Sequence, residues 1–348
     1  MKIGLIARMD SIGLGTQTWE LFRHLNPEKT LIVNSEKCNG NKQYPERFHG
    51  RNVKQARTVP FRVDVKKESI LEFCNGLDVV ISCETPYNYY LFDLAKRRRI
   101  KTVLQYNWEF LDYLDRPFLP KPDCLASPSY WHLQEAQERF GAKHLPVPVN
   151  RSVLPFTKKT RFKEFLHLAG IRVDHDRNGT EQAILAASQV PEINLTVKVQ
   201  NEGWAATWQK DFNFPNVKII GKNVENYYDN YTGFDALVFP RKYGGLCLPM
   251  QEALSCGMPV IMTDCSPNDE MLPPEWLCES ELTGTFLSRG YNIEINTAKI
   301  DNLAERLRWL AGLNEAEAAK ESTHADYLAS ELSWHIWKDR YIEFFKAI

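Results

Sequence analysis

Short apolar runs that do not alternate constrain this chain more than any other feature. Leu77-Asp78-Val79-Val80-Ile81-Ser82, Ala236-Leu237-Val238-Phe239 and Pro259-Val260-Ile261-Met262 are examples. A strand with one wet face alternates polar and apolar residues. A continuous apolar run suits a strand buried on both faces, as in a parallel sheet covered by helices. The stretches between the runs carry helical spacing, such as Ile300, Leu303, Leu307 and Leu310 on one face. The chain therefore reads as α/β, with strand and helix in alternation.

The reading runs as follows in the first half. Residues 2–8 are a strand, Gly13-Leu14-Gly15 a turn and Thr16 to Leu25 a helix. Strands follow at 30–33, 77–82, 101–105 and 124–126, with helices over 88–98 and after a cap near Ser127 or Ser129. Pro146, Pro148 and Pro155 then interrupt the pattern and place a linker near residues 146–158. Beyond it the rhythm restarts, with strands at 165–169, 195–199, 217–220, 236–239 and 259–262. Helices are expected over 180–189, 223–231 and Met250 to Cys256. The domains are read as 1–150, 151–330, and a terminal helix in 331–348 packing back on the first. With 348 residues, two domains are the ordinary expectation. Two doubly wound halves would place ligands outside the carboxyl ends of their strands, in a cleft.

Several function classes drop out early. No apolar run approaches the roughly 20 residues that span a bilayer. The apolar start is cut off by Arg8 and Asp10, so it reads as a first strand rather than a signal peptide, and the expected compartment is the cytoplasm. The eight cysteines include no Cys-x-x-Cys pair and the histidines show no ligand spacing, so no metal and no bound cofactor is expected. A net charge of −1 gives no overall footprint for nucleic acid. The basic run Lys96-Arg97-Arg98-Arg99 with Lys101 reads first as a helix end. His132 reads as part of a helix face.

The informative block is Phe239-Pro240-Arg241-Lys242-Tyr243-Gly244-Gly245-Leu246-Cys247-Leu248-Pro249-Met250-Gln251-Glu252-Ala253, continuing to Gly257 and Val260. A strand end delivers Arg241 and Lys242, a glycine-bearing loop follows, and Pro249 opens a short helix. This layout aims backbone amides, a helix dipole and two cations at one point, which suits a diphosphate gaining charge as it leaves. A second glycine-bearing turn, Gly13-Leu14-Gly15-Thr16, follows the first strand and could bring backbone amides to an anion. It lacks the third glycine of a dinucleotide fingerprint.

The block resembles the hallmark of the retaining GT-B glycosyltransferases called glycosyl transferases group 1. Gly245, Leu248, Pro249, Glu252, Ala253, Gly257, Pro259 and Val260 match it position by position. The likeness extends to Val217–Gly221, Phe234–Pro240 and Ser127-Pro128-Ser129, and to Gly13, Gly15 and Thr16 as the amino-terminal glycine loop. It implies a GT-B fold of two Rossmann-like domains and a nucleotide-sugar donor held by the second. In that likeness Glu252 bonds the ribose hydroxyls, and the amides around Gly245 and Leu246 contact sugar or phosphate. Arg177 stands near the family's phosphate-binding lysine, and Arg172 stands in for its arginine. Gly244 occupies the position of the hallmark's first carboxylate, a departure for which Asp264, Asp269, Glu270 or Asn268 could compensate.

On the acceptor side, Asp10 and Glu109 are the candidate carboxylates, Glu109 lying in an aromatic stretch with Tyr106, Trp108 and Phe110. The expected activity is transfer of a sugar to an acceptor hydroxyl, on a saccharide for instance, with retention of anomeric configuration. Two alternatives stay open: a DNA-modifying glycosyltransferase acting on a hydroxymethylated base, and a non-catalytic protein that kept the fold.

Overall fold

The computed structural model describes the whole chain except residues 11, 35–42, 51, 58–64, 112–115, 171–175, 201, 223, 225 and 289, and the side chains of 56, 57 and 227. The described chain forms two compact units. The first comprises Met1–Val147, Ser288–Tyr291 and Trp334–Ile348; the second comprises Pro148–Leu287 and Asn292–Ser333.

The first unit holds a seven-stranded sheet. In chain order its strands are β1 (Ile3–Arg8), β2 (Lys29–Asn34), β3 (Val53–Arg57), β4 (Val79–Cys83), β5 (Lys101–Gln105), β6 (Cys124–Ser127) and β7 (Lys143–His144). In space they run β3-β2-β1-β4-β5-β6-β7, each pair parallel. Every residue of β1 and β4 is buried, as the non-alternating runs require. The order reverses between β1 and β4, so the switch point lies at their carboxyl ends. Helices α1 (Gly13–Leu25), α2 (Lys67–Phe73), α3 (Tyr90–Arg98) and α4 (Leu133–Phe140) connect the strands. The turn read over Gly13–Gly15 is instead the first turn of α1.

The second unit is built on β8 (Glu164–Gly170), β9 (Asn194–Val199), β10 (Val217–Ile220), β11 (Ala236–Phe239), β12 (Val260–Thr263) and β13 (Leu277–Cys278). Their spatial order is β10-β9-β8-β11-β12-β13, again parallel, with the switch point between β8 and β11. Its helices are α5 (Thr180–Ser188), α6 (Glu202–Asp211), α7 (Leu248–Ser255), α8 (Ile300–Ala311) and α9 (Glu315–Glu331). A separate hairpin joins β14 (Ser280–Ser288) to β15 (Tyr291–Ala298). The helix expected over 223–231 is not formed: its described part is a 3-10 turn, Tyr227–Tyr231, capped by the Asn226 side chain. The core joins Phe165, Val197, Val238 and Ile261 of the sheet to Ala183, Ala253, Leu307 and Ala325 of the helices.

The last helix, α10 (Trp334–Lys346), belongs to the first unit. Its Trp334, Tyr341 and Phe345 enter the core with Leu5, Ile81 and Val103. A buried polar ladder holds it. Gln17 donates to the Gln105 side chain at 2.8 Å. Gln105 donates to Leu145 O at 2.7 Å and to the Tyr341 hydroxyl at 3.2 Å, and Tyr341 donates to Pro146 O at 2.7 Å. Burial pushes the Tyr341 phenol well above its ordinary pKa.

Candidate functional site

In the second unit, the residues at the switch point converge on Gly244. The segment Asp176–Gly179 folds over the end of β11, where the Lys242 amide donates to Arg177 O at 2.8 Å. Arg177 donates through Nε to Tyr243 O at 3.2 Å and lies over the Tyr243 ring at 5.2 Å. A terminal nitrogen of the same guanidinium lies against Gly244. Arg241, itself buried, donates from Nη1 to Leu246 O at 2.8 Å. Gly244 has φ +116°, and a β-carbon built on it would overlap a guanidinium nitrogen of Arg177 and one of Arg241. Only glycine combines that backbone with that space. Two like charges brought this close repel each other, an arrangement that an anion between them relieves.

Helix α7 starts at the same place. Cys247 is its N-cap and Pro249 lies in its first turn, so the amino-terminal amides and the positive dipole end of the helix lie there. Burial raises the Cys247 thiol pKa, against the opposing pull of both Arg241 and Arg177. Both guanidiniums therefore act on the helix start. Lys242 is buried with its ammonium 4.0 Å from the Asp176 carboxylate. Gly245 and Leu246 are half-buried beside it. Arg172 lies outside the described residues.

Four residues lower in this wall, Glu252 on α7 is 4% exposed, and its carboxylate accepts a short hydrogen bond from the Tyr231 hydroxyl. Tyr231 has no motif to announce it and was not singled out from sequence. Nor was His167 given a role there. Its Nδ1 faces Val238 O at 2.7 Å and its Nε2 faces the Thr180 hydroxyl at 3.0 Å, and burial lowers its pKa. A neutral ring with Nδ1 protonated satisfies both contacts and ties α5 to β8 and β11.

Of the carboxylates considered as replacements at position 244, Asp264, Asp269 and Glu270 are exposed. The Cys265 thiol is pushed up to about 12 by burial and then by Asp269, while Arg241 opposes. Asp269 and Arg241 thus act on one thiol. Asn268 is committed to packing, donating to Thr263 O at 2.9 Å.

In the first unit Asp10 is fully buried and ion-paired with Arg8, which is 1% exposed. Burial works against the Arg8 charge, but Tyr87 and Asp10 beside it outweigh that and raise its pKa. The backbone is left-handed at Tyr87, as it is at Glu84. Gly15 packs directly on the Asp10 carbonyl, where a side chain would collide. Thr16 is buried and Gly13 exposed. Gly15 thus serves close packing of α1 on the end of β1.

Glu109 is half-buried in a 3-10 turn, Trp108–Phe110, and its carbonyl accepts from the Ser288 hydroxyl at 3.2 Å. Trp108 stacks on His132 at 4.6 Å and 16°. His132 is the left-handed N-cap of α4 rather than a member of its face. The structure keeps Asp10, just past the end of β1, and Glu109, in the 3-10 turn after β5, on separate elements. Tyr87, Tyr106 and Trp108 are buried, consistent with packing roles.

The basic run ends α3, with Arg97 bonded to Asp93 O at 3.3 Å and Arg98 to Leu71 O at 3.1 Å. Among the described residues no cysteine is disulfide-bonded and no helix is long and apolar enough to cross a membrane. One described group, Glu275, Glu321 and His324, has donor atoms within 4.8 Å of one another. Glu321 already accepts from Trp276 Nε1 at 2.9 Å, and His324 packs on the Trp276 ring.

Residues 176–319 match the family described as Glycosyl transferases group 1, a span that contains Arg177, Arg241, Gly244 and Glu252. No curated protein matches the sequence. Among solved structures, sucrose-phosphate synthase from Thermosynechococcus elongatus is similar at a TM-score of 0.66 and 13% identity, covering 100% of this chain and 98% of that one. Anabaena HepE in complex with UDP and glucose is similar at 0.67 and 10% identity, with both chains covered in full. A glycosyltransferase from Rickettsia africae is similar at 0.69 and 11% identity, covering 99% of this chain and 98% of that one. The chain thus has the GT-B fold, and its residues 176–319 are similar to the glycosyl transferases group 1 family.

Proposed function

We propose that this protein transfers a sugar from a nucleotide-sugar to an acceptor hydroxyl, with retention of anomeric configuration. The observation that carries the reading is the meeting of Arg177 and Arg241 beside Gly244 at the first turn of α7. A departing nucleoside diphosphate gains negative charge as its bond to the sugar breaks. Fixed guanidiniums and a helix start stabilise that charge without having to reorganise. No metal ion is part of this reading.

Each remaining residue then has a role. Glu252, held by Tyr231, would accept from the ribose hydroxyls, and the amides of Gly245 and Leu246 would meet the sugar or its phosphate. Lys242 would add charge from the floor of the loop. On the first unit Glu109 is the less buried of the two candidate carboxylates. Asp10 would act at one remove, by fixing Arg8 at the switch point. The acceptor would be a saccharide or another hydroxyl-bearing molecule, and the compartment the cytoplasm.

A thermal-shift screen against UDP-, GDP-, ADP- and CMP-sugars tests the reading. A ligand at a hundredfold excess over its dissociation constant stabilises by about 2.7 kcal/mol, so the donor stands out from the panel. Proton NMR of the product then gives the anomeric configuration. An inverted product would overturn the retaining assignment, and a flat screen would overturn donor binding.

A further inference from the structure

Arg177 does not reach Gly244 unaided, because the residues that hold it are themselves held from the β14–β15 hairpin. The Phe286 ring meets the Tyr243 ring edge-on at 5.0 Å and 62°. The backbone amide of Asn296, on β15, donates to Lys242 O at 3.0 Å. Tyr243 in turn offers Arg177 both its carbonyl, at 3.2 Å from Nε, and its ring face, at 5.2 Å. The hairpin packs through β15, which buries Ile293, Ile295 and Ala298, and leaves much of β14 exposed. Its inward contacts on the loop fall at Lys242 and Tyr243, the two residues preceding Gly244.

We propose that the β14–β15 hairpin is a positioning element of the anion site, with Phe286 fixing Tyr243 and Tyr243 fixing Arg177. The inference rests on the reading of that site as the binder of a donor diphosphate. Phe286 touches no ligand; it acts by restricting the guanidinium to one orientation. An arginine loses much side-chain entropy when it binds, and a ring clamp removes part of that loss beforehand.

Titration calorimetry of the full chain with inorganic pyrophosphate tests this. Wild type should bind, and Arg177→Ala should weaken binding at least tenfold. Phe286→Ala should weaken it about threefold to tenfold, in line with the worth of an aromatic pair. Phe286→Tyr, which keeps the ring, should restore it. In an Arg177→Ala background, Phe286→Ala should cost nothing further, since its effect passes through that arginine. A merely structural role would weaken binding equally in both backgrounds, and that result overturns the inference. So does a Phe286→Ala protein that binds like wild type while Arg177→Ala does not. If Phe286→Ala fails to fold, Phe286→Leu carries the same comparison. Wild type that ignores pyrophosphate, or Arg177→Ala that binds it normally, overturns the site reading and the inference together.

Discussion

At the scale of single residues, position 244 decides what the loop can do. A glutamate there would need a left-handed backbone and would push into two guanidiniums. Gly244→Glu should therefore cost stability by about 1–3 kcal/mol through backbone strain. It should also lose diphosphate binding by tenfold or more, both readable from melting curves with and without nucleotide. Glu252 and Tyr231 make a second residue-scale test. Tyr231→Phe leaves a buried carboxylate short of a donor and should destabilise by about 1–3 kcal/mol in denaturant titration. Glu252→Gln keeps a partner for Tyr231 but exchanges an anion for an amide, so its larger effect should fall on the KM for donor. Sequence alone carried Arg241, Lys242 and Glu252, because the glycines, Pro249 and the hallmark spacing mark them. It carried nothing of Tyr231, Tyr243 or Phe286. Each of those acts through a contact between residues far apart in sequence, which leaves no local pattern.

At the scale of elements, apolar runs such as those of β1, β4, β11 and β12 were legible, since strands buried on both faces have no polar positions. Val53–Arg57 was not, because an edge strand can be mostly polar, as Val-Lys-Gln-Ala-Arg is. The hairpin was missed for a related reason: β14 exposes Leu282 and Leu287, so apolar content there does not report burial. Helix α9 does carry a local signal, the capping box between Asn314 and Glu317. Gly13–Gly15 is helix rather than the expected turn, because Gly15 serves close packing on Asp10 and not chain reversal. Helix α10 offers a direct test of element docking. Tyr341→Phe removes the donor to Pro146 O and the acceptor for Gln105. Amide exchange should then quicken across α10 while the strands of the second unit stay protected, with a loss of about 1–2 kcal/mol.

At the scale of the whole molecule, the buried His167 and the half-buried His144 give stability a defined pH dependence. Burial lowers the His144 pKa to about 4 and lowers that of His167 as well. Unfolded, each titrates near about 6.5. Between these values the unfolded chain binds more protons than the folded one, so acid favours unfolding. Stability should hold above about pH 6.5 and fall as pH drops from there toward about 4. Melting temperatures at pH 7.5 and 5.5 read the effect, and replacing His144 with Gln should flatten part of it. The two-unit α/β architecture was legible because both sheets use the same strand–helix rhythm. Which residues the second sheet's switch point gathers was legible only in outline, since Arg177 arrives from a segment some 60 residues upstream of Arg241.

The central claim is that Arg177, Arg241 and the start of α7 hold a donor's diphosphate and stabilise it as it leaves. The most direct measurement is release of nucleoside diphosphate from the panel of nucleotide-sugars, by wild type and by Arg241→Ala, with folding of both checked by melting. The account predicts that wild type releases diphosphate from at least one donor and that Arg241→Ala binds it more weakly and turns over at a small fraction of that rate. Equal rates in the two proteins, or no release from any donor, would contradict it.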